Sequence, residues 1–137
     1  MNFRLSNDGN KNDIAEIRDS LIDYNASHGV TNDTIPIAVY YENENGDKKA
    51  GITGYAHGNW FFIDLLFVSD TLRGQGIGKR LLSLAEEDAK NKGCKYAFVN
   101  TNAFQAPAFY QKAGYECVFK LEEFPLNGEK YYFTKKL

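Results

Sequence analysis

Between Val68 and Lys79 the chain reads Val-Ser-Asp-Thr-Leu-Arg-Gly-Gln-Gly-Ile-Gly-Lys, an apolar run that ends in a glycine-rich turn with a helical pattern behind it. A strand that enters a helix through such a turn leaves several backbone N–H groups pointing out of the helix start, along the positive end of its dipole. A di-anionic group can sit on those amides directly. Gly74, Gly76 and Gly78 keep side chains out of the way and open φ angles closed to other residues, while Arg73 and Lys79 flank the turn with positive charge. A helix start made glycine-rich only for close packing is the plain alternative. Two better-known phosphate motifs fail on spacing. A Walker A loop needs a glycine where Arg73 stands and a Ser or Thr where Arg80 stands, and the dinucleotide fingerprint needs a third glycine at Lys79 or Leu81. That fingerprint also wants an acidic residue about twenty positions on, where the chain reads Val99-Asn100-Thr101-Asn102.

Length and charge narrow the rest. A chain of 137 residues is expected to form one domain, 1–137, burying roughly two thirds of its unfolded surface. Sixteen basic against 18 acidic residues give net charge −2, which offers no footprint for nucleic acid or an anionic membrane. The longest apolar stretch, Trp60 to Val68, is interrupted by Asp64 and too short to span a bilayer, and no basic leader precedes an apolar run. A cytoplasmic protein is expected. Cys94 and Cys117 make no disulfide framework and no Cys/His cluster has metal-ligand spacing, so no metal is expected and both cysteines read as buried small hydrophobes.

Periodicity predicts a short strand at Met1–Leu5, then a helix opened by a capping box at Asp13 and Glu16, with Ile14, Ile17, Leu21 and Ile22 on one stripe and His28-Gly29 at its end. Ile35–Tyr41 and Ala50–His57 read as strands of a hairpin turning at Asn45-Gly46. Asn59–Val68 is apolar at nearly every position, the pattern of a central strand covered on both faces. From Ile77, apolar residues recur at Leu81, Leu82, Leu84, Ala85 and Ala89 until Gly93, and Lys95–Asn100 is a further strand. Strand, turn, helix and strand form a βαβ unit with parallel strands, which places the glycine turn at their C-terminal ends, where α/β ligands bind. Pro107 starts a short helix that Gly114 ends, and Tyr115–Leu121 and Lys130–Lys135 complete the sheet. The fold class is therefore α/β, with a central mixed sheet flanked by helices.

These residues resemble the GNAT superfamily of N-acetyltransferases. Arg73-Gly74-Gln75-Gly76-Ile77-Gly78 matches its Q/R-x-x-G-x-G/A signature, and Phe109-Tyr110-Gln111-Lys112-Ala113-Gly114-Tyr115 is similar to its Y-x-x-x-G-F/Y segment. The element order fits the family over nearly the whole chain. The resemblance implies acetyl-CoA as acetyl donor, with its pyrophosphate on backbone N–H groups from Gly74 through Gln75, Gly76, Ile77 and Gly78 to Lys79, beside Arg73. Its pantetheine would pair like an extra strand with Leu66, Phe67 and Val68. A backbone N–H near Phe67 would polarise the thioester carbonyl, a contribution worth about 3 kcal/mol where charge builds on the oxygen. Tyr110 takes the family's general-acid position, from which a phenol protonates the departing thiolate; a helix tyrosine that merely packs is the alternative. Where many members carry an Asn seven residues before that tyrosine, this chain has Ala103, with Asn102 adjacent.

The family has no universal general base. Asp64 is the first candidate, because a lone carboxylate in an apolar strand is costly unless it is paired or functional; a structural hydrogen-bond acceptor is the other reading. His28 and His57 read as helix-end or surface residues. Glu122, Glu123 and Glu129 around Phe124–Gly128 form an acidic loop that would attract a cationic amine or be an ordinary solvated turn, and Tyr40, Tyr41, Tyr55 and Trp60 would line an acceptor cleft or the core. Two functions stay in play. The first is transfer of acetyl to a primary amine of a small molecule or peptide by direct attack in a ternary complex. The second is a non-catalytic CoA-binding regulatory or interaction module. The acceptor amine is the expected partner, and assembly is open, with a homodimer among the options.

Overall fold

The computed structural model describes residues 1–102 and 107–137, which divide into two compact units, Met1–Asp33 and Thr34–Leu137. The first unit carries one helix, α1 (Lys11–Ser27). Its cap differs from the expected one: the Asn10 side chain accepts the Asp13 N–H at 3.0 Å, so the helix starts ahead of Asp13 and that residue lies inside its first turn. An Asn cap meets the same orphan-donor problem as the box expected at Asp13. No strand forms at Met1–Leu5. Such a strand exists only through a ladder partner, and here Met1, Phe3 and Leu5 are fully solvated. Ile14, Ile17 and Leu21 share a stripe as expected, but no residue of α1 is buried. His28 ends the helix with its Nδ1 2.9 Å from the Tyr24 carbonyl oxygen, the helix-end position expected of it.

The second unit is a six-stranded sheet of β1 (Ile35–Glu42), β2 (Lys48–His57), β3 (Trp60–Val68), β4 (Tyr96–Asn102), β5 (Glu116–Glu122) and β6 (Glu129–Lys136), with two helices, α2 (Ile77–Asn91) and α3 (Pro107–Lys112). The strand order is β1-β2-β3-β4-β6-β5, and only β3 and β4 run parallel. That pair flanks the α2 crossover, as the βαβ reading requires. The α2 stripe buries Leu81, Leu82, Ala85 and Ala89 against β1, β2 and β3. Facing it, Ile37, Ile52, Phe61, Ile63, Ala97, Val99 and Phe133 alternate along their strands to form the core. Each large side chain buried there contributes about 1.5–3 kcal/mol.

The opposite face of the sheet is built differently. Within this unit that face of β3 is less filled than the α2 side: Trp60 and Phe62 are half-buried, and Leu65 and Phe67 are exposed. Rings shield one another across strands instead. Tyr55 stacks on Phe62 at 5.2 Å between centroids, Trp60 on Tyr96 at 4.9 Å, and Phe62 meets the edge of Phe98 at 5.7 Å, with Tyr132 and Phe119 continuing the row. Each such pair adds about 0.5–1.5 kcal/mol beyond its buried area. Cys94 is buried as expected, whereas Cys117 is exposed on β5, an edge strand whose residues all face solvent. Among the described residues no helix is long and apolar enough to cross a membrane.

Candidate active site

The site begins with a defect in the sheet. Along β2 and β3 the register runs from Ala56↔Phe61 to Gly54↔Ile63 and then jumps to Thr53↔Leu65, which leaves Asp64 as the extra residue of a β-bulge. Gly54 permits it. A Cβ there would collide with the Phe62 carbonyl oxygen and stand 2.9 Å from the Phe61 ring and 3.1 Å from the Ile63 Cα. The bulge bends β3 away from its other neighbour: β3 pairs with β4 only where Trp60, Phe61 and Phe62 meet Tyr96, Ala97 and Phe98. Beyond that point β4 continues with β6 through Asn102, and β3 continues with β2 through Val68. The two strands part, and a cavity of about 910 Å³ occupies the gap.

The glycine turn forms one wall. Gly74 and Gly76 adopt φ of +79° and +78°, a region in which a side chain is strained, and a Cβ on either would meet nothing within 4 Å. Gly76 caps α2, and the first amide bonded back into the turn is that of Arg80, to the Gly76 oxygen at 3.0 Å. The amides of Ile77, Gly78 and Lys79 in the opening helical turn therefore have no intrahelical acceptor. At Gly78 a Cβ would stand in ordinary contact with Phe109 at 3.4 Å and Val68 at 3.5 Å, so this glycine is not forced by packing. Arg73 turns back, its Nε 3.3 Å from Asp70 and 3.2 Å from the Val68 oxygen. Gln75 likewise donates to the Thr71 oxygen at 3.3 Å and is the one residue of the expected turn set that does not line the cavity.

The far wall is α3. Tyr110 is only 4% exposed yet lines the cavity. Its ring meets Phe109, Tyr115 and Phe133 at 5.2, 5.5 and 6.0 Å. Burial pushes its phenol up to about 12, so the group carries its proton throughout the neutral range, the state a proton donor requires.

Asp64, Leu66, Phe67, Val68, Arg73, Gly74, Gly76, Ile77, Gly78, Lys79 and Tyr110 are thus all brought to one cavity. The reason for suspecting Asp64 changes, however. It is exposed in the bulge, so its charge bears no burial cost, and its place on the cavity wall is what singles it out. Of the aromatics considered for an acceptor cleft, Tyr40 and Tyr41 are about half exposed, Tyr55 and Trp60 belong to the aromatic row, and none lines the cavity. In the acidic loop, Glu129 pairs with Lys120 at 2.6 Å, and Glu122, Glu123 and Glu129 also stand off the cavity. Asn102 ends β4 half-buried, and position 103 lies outside the described residues. The reading of the residues passed over Val99, Asn100 and Thr101 at the end of β4, and Phe109 on α3. For Val99, Asn100 and Thr101 the signal is position: the C-terminal end of the second strand of a βαβ unit. Among the described residues, no group of three or more His, Cys, Asp or Glu is placed to hold a metal ion.

Residues 34–117 match the model of the acetyltransferase (GNAT) domain, and this span covers the sheet through β4, the glycine turn, α2 and α3. Acetyltransferase Atu2258 of Agrobacterium fabrum is 33% identical over 115 residues, 84% of each chain. Blasticidin-S acetyltransferase of Streptomyces morookaense is 36% identical over 101 residues, 73% of this chain and 74% of its own. The crystal structure of an acetyltransferase from Bacillus cereus ATCC 14579 superposes with a TM-score of 0.86 at 31% identity, covering 98% of both chains. With the domain match spanning the elements that build the cavity, the chain belongs to the GNAT family of acetyltransferases.

Proposed function

We propose that this acetyltransferase moves the acetyl group of acetyl-CoA onto a primary amine of a small molecule or peptide, by direct attack while both substrates are bound. One observation carries the reading: the unbonded amides of a glycine turn, the unpaired edge of β3 and a buried phenol all open into a single cavity. The donor substrate supplies an acetyl thioester, whose carbonyl carbon accepts the amine and whose thiolate leaves. Its fit rests on the turn, where open space stands in place of side chains at Gly74 and Gly76 and the helix-start amides face an anion. The β3 edge from Leu66 to Val68 offers main-chain partners to an extended amide-bearing arm, because β4 no longer occupies that side.

In this reading a backbone amide near Phe67 on the open edge of β3 stabilises charge on the carbonyl oxygen, Tyr110 gives its proton to the leaving sulfur, and Asp64 takes one from the incoming ammonium so that the nitrogen lone pair is free. Direct transfer accords with the cysteines. Cys94 is buried, its thiol pushed up by desolvation, and neither it nor Cys117 lines the cavity. The test is release of CoA thiol on mixing with acetyl-CoA and a panel of polyamines, aminoglycosides, amino acids and peptide N-termini. At least one amine is expected to give turnover, and Tyr110→Phe to lower that turnover about 10²- to 10⁴-fold with acetyl-CoA affinity little changed. Stabilisation by acetyl-CoA with no thiol released by any amine would instead indicate a binding module. Full turnover in Tyr110→Phe, with chemistry limiting, would return Tyr110 to a packing role.

A further inference from the structure

A second charged cluster lies just outside the cavity, and the mechanism above leaves it without a task. Glu86, on α2, has a side chain only 13% exposed and holds two donors: the Tyr115 hydroxyl at 2.7 Å on Oε2 and the Lys135 ammonium at 3.1 Å from both oxygens. Tyr115 is 4% exposed, and the Lys135 ammonium also stands 5.5 Å over its ring. The Lys135 stem lies along the turn at Gly114, whose φ of +94° is what calls for glycine there. The cluster joins α2, the residue leading into β5, and β6.

Such a cluster is a poor route to stability alone, because desolvating two charges offsets much of their attraction and a well-packed apolar substitute is often as stable. What it offers is geometry. Tyr115 is the residue against which Tyr110 is set: the rings meet edge to face at 5.5 Å, and the Tyr115 N–H donates to the Tyr110 main-chain carbonyl oxygen at 2.9 Å, closing α3. At its other end α2 opens from Gly76 in the glycine turn. Glu86 thus links the helix that begins at the phosphate turn to the ring that buttresses the candidate proton donor.

We propose that Glu86, Tyr115 and Lys135 are positioning residues that hold the Tyr110 hydroxyl in register with the glycine turn, so that one bound donor reaches both. This rests on the reading of Tyr110 as the proton donor. Misplacing a catalytic group by a fraction of its reach lowers chemistry more than binding.

A double-mutant cycle tests it. Tyr115→Phe keeps the ring against Tyr110 and removes the hydroxyl; Glu86→Gln keeps the shape and removes the charge. Each is assayed with acetyl-CoA and an active amine, below the melting temperature measured for every variant. In the wild-type background each change is expected to lower kcat about 10-fold while the acetyl-CoA KM stays within about two-fold. In the Tyr110→Phe background the same changes should cost less than about two-fold, because residues that act through one group are non-additive. Equal losses in the two backgrounds would make the cluster merely structural, and unchanged kcat in the wild-type background would remove it from the mechanism. Should Tyr115→Phe fail to fold, Glu86→Gln and Lys135→Met carry the same comparison. Failure of the underlying reading looks different: Tyr110→Phe alone would then keep full turnover, and the positioning role would fall with it.

Discussion

The two halves of β3 are one strand in sequence and two structures in space. Trp60–Phe62 is paired on both sides, to β2 and to β4, while Leu65–Val68 is paired to β2 alone and faces a cavity. Composition does not separate them, since both are apolar throughout. One inserted residue does. The bulge at Asp64 resets the alternation, so that Phe61 and Ile63 in the first half and Leu66 and Val68 in the second all point to the α2 side, and Leu65 and Phe67 are left exposed. A sheet thus gains a cleft by giving up half of one ladder, without adding an element.

The sharpest way to break this contrast is at the wall facing the open half. Gly76→Asp adds a strained side chain and a negative charge to the open space of the turn, and like-charge contact costs several kcal/mol, so acetyl-CoA affinity is expected to fall about 10³-fold by calorimetry while the fold survives. Unchanged affinity would mean that the open edge of β3 binds its ligand without the turn.

The next largest effect falls on the bulge. Gly54→Ala sets a methyl against the backbone of Phe62 and Ile63 and is expected to destabilise the protein by about 3 kcal/mol in urea denaturation, with weaker acetyl-CoA binding as the two strands shift. Full stability in this variant would show that β3 parts from β4 for some other reason.

The smallest effect concerns the phenol beside the open half. Tyr110 titrates near 12 in the fold against about 10 in an unfolded chain. A raised phenol pKa means that the unfolded state loses its proton first, so the stability it contributes is complete below pH 10 and is lost as pH rises towards 12. About 2 kcal/mol should disappear over that window. Tyr115, raised by burial and by Glu86, slopes the same way. Urea midpoints measured across pH 9–12 should therefore decline less steeply in Tyr110→Phe than in the wild type, and parallel curves would show that Tyr110 is not desolvated in solution.

Much of this was legible in the residues because it depends on neighbours in sequence. The glycine turn, the parallel βαβ unit around α2 and the place of Tyr110 on a short helix follow from spacing alone, and the structure brings the expected residues, Gln75 apart, to one cavity. The misreadings share a different cause. Met1–Leu5 had the composition of a strand but forms no ladder, and Cys117 had the chemistry of a core residue but lies on a strand at the sheet edge. Pattern reports what a segment is able to bury, and burial needs something to bury it against.

By itself the sequence determined the periodicities, the start of α2 and the one turn whose glycines suit an anion, since each rests on local sterics and hydrogen bonding within a few residues. Only the tertiary structure decided where β3 leaves β4, that Asp64 is the solvated residue of a bulge rather than a buried charge, and that Glu86, Tyr115 and Lys135 meet behind Tyr110. Those outcomes depend on register and on contacts between residues as many as 49 positions apart, which no local preference encodes.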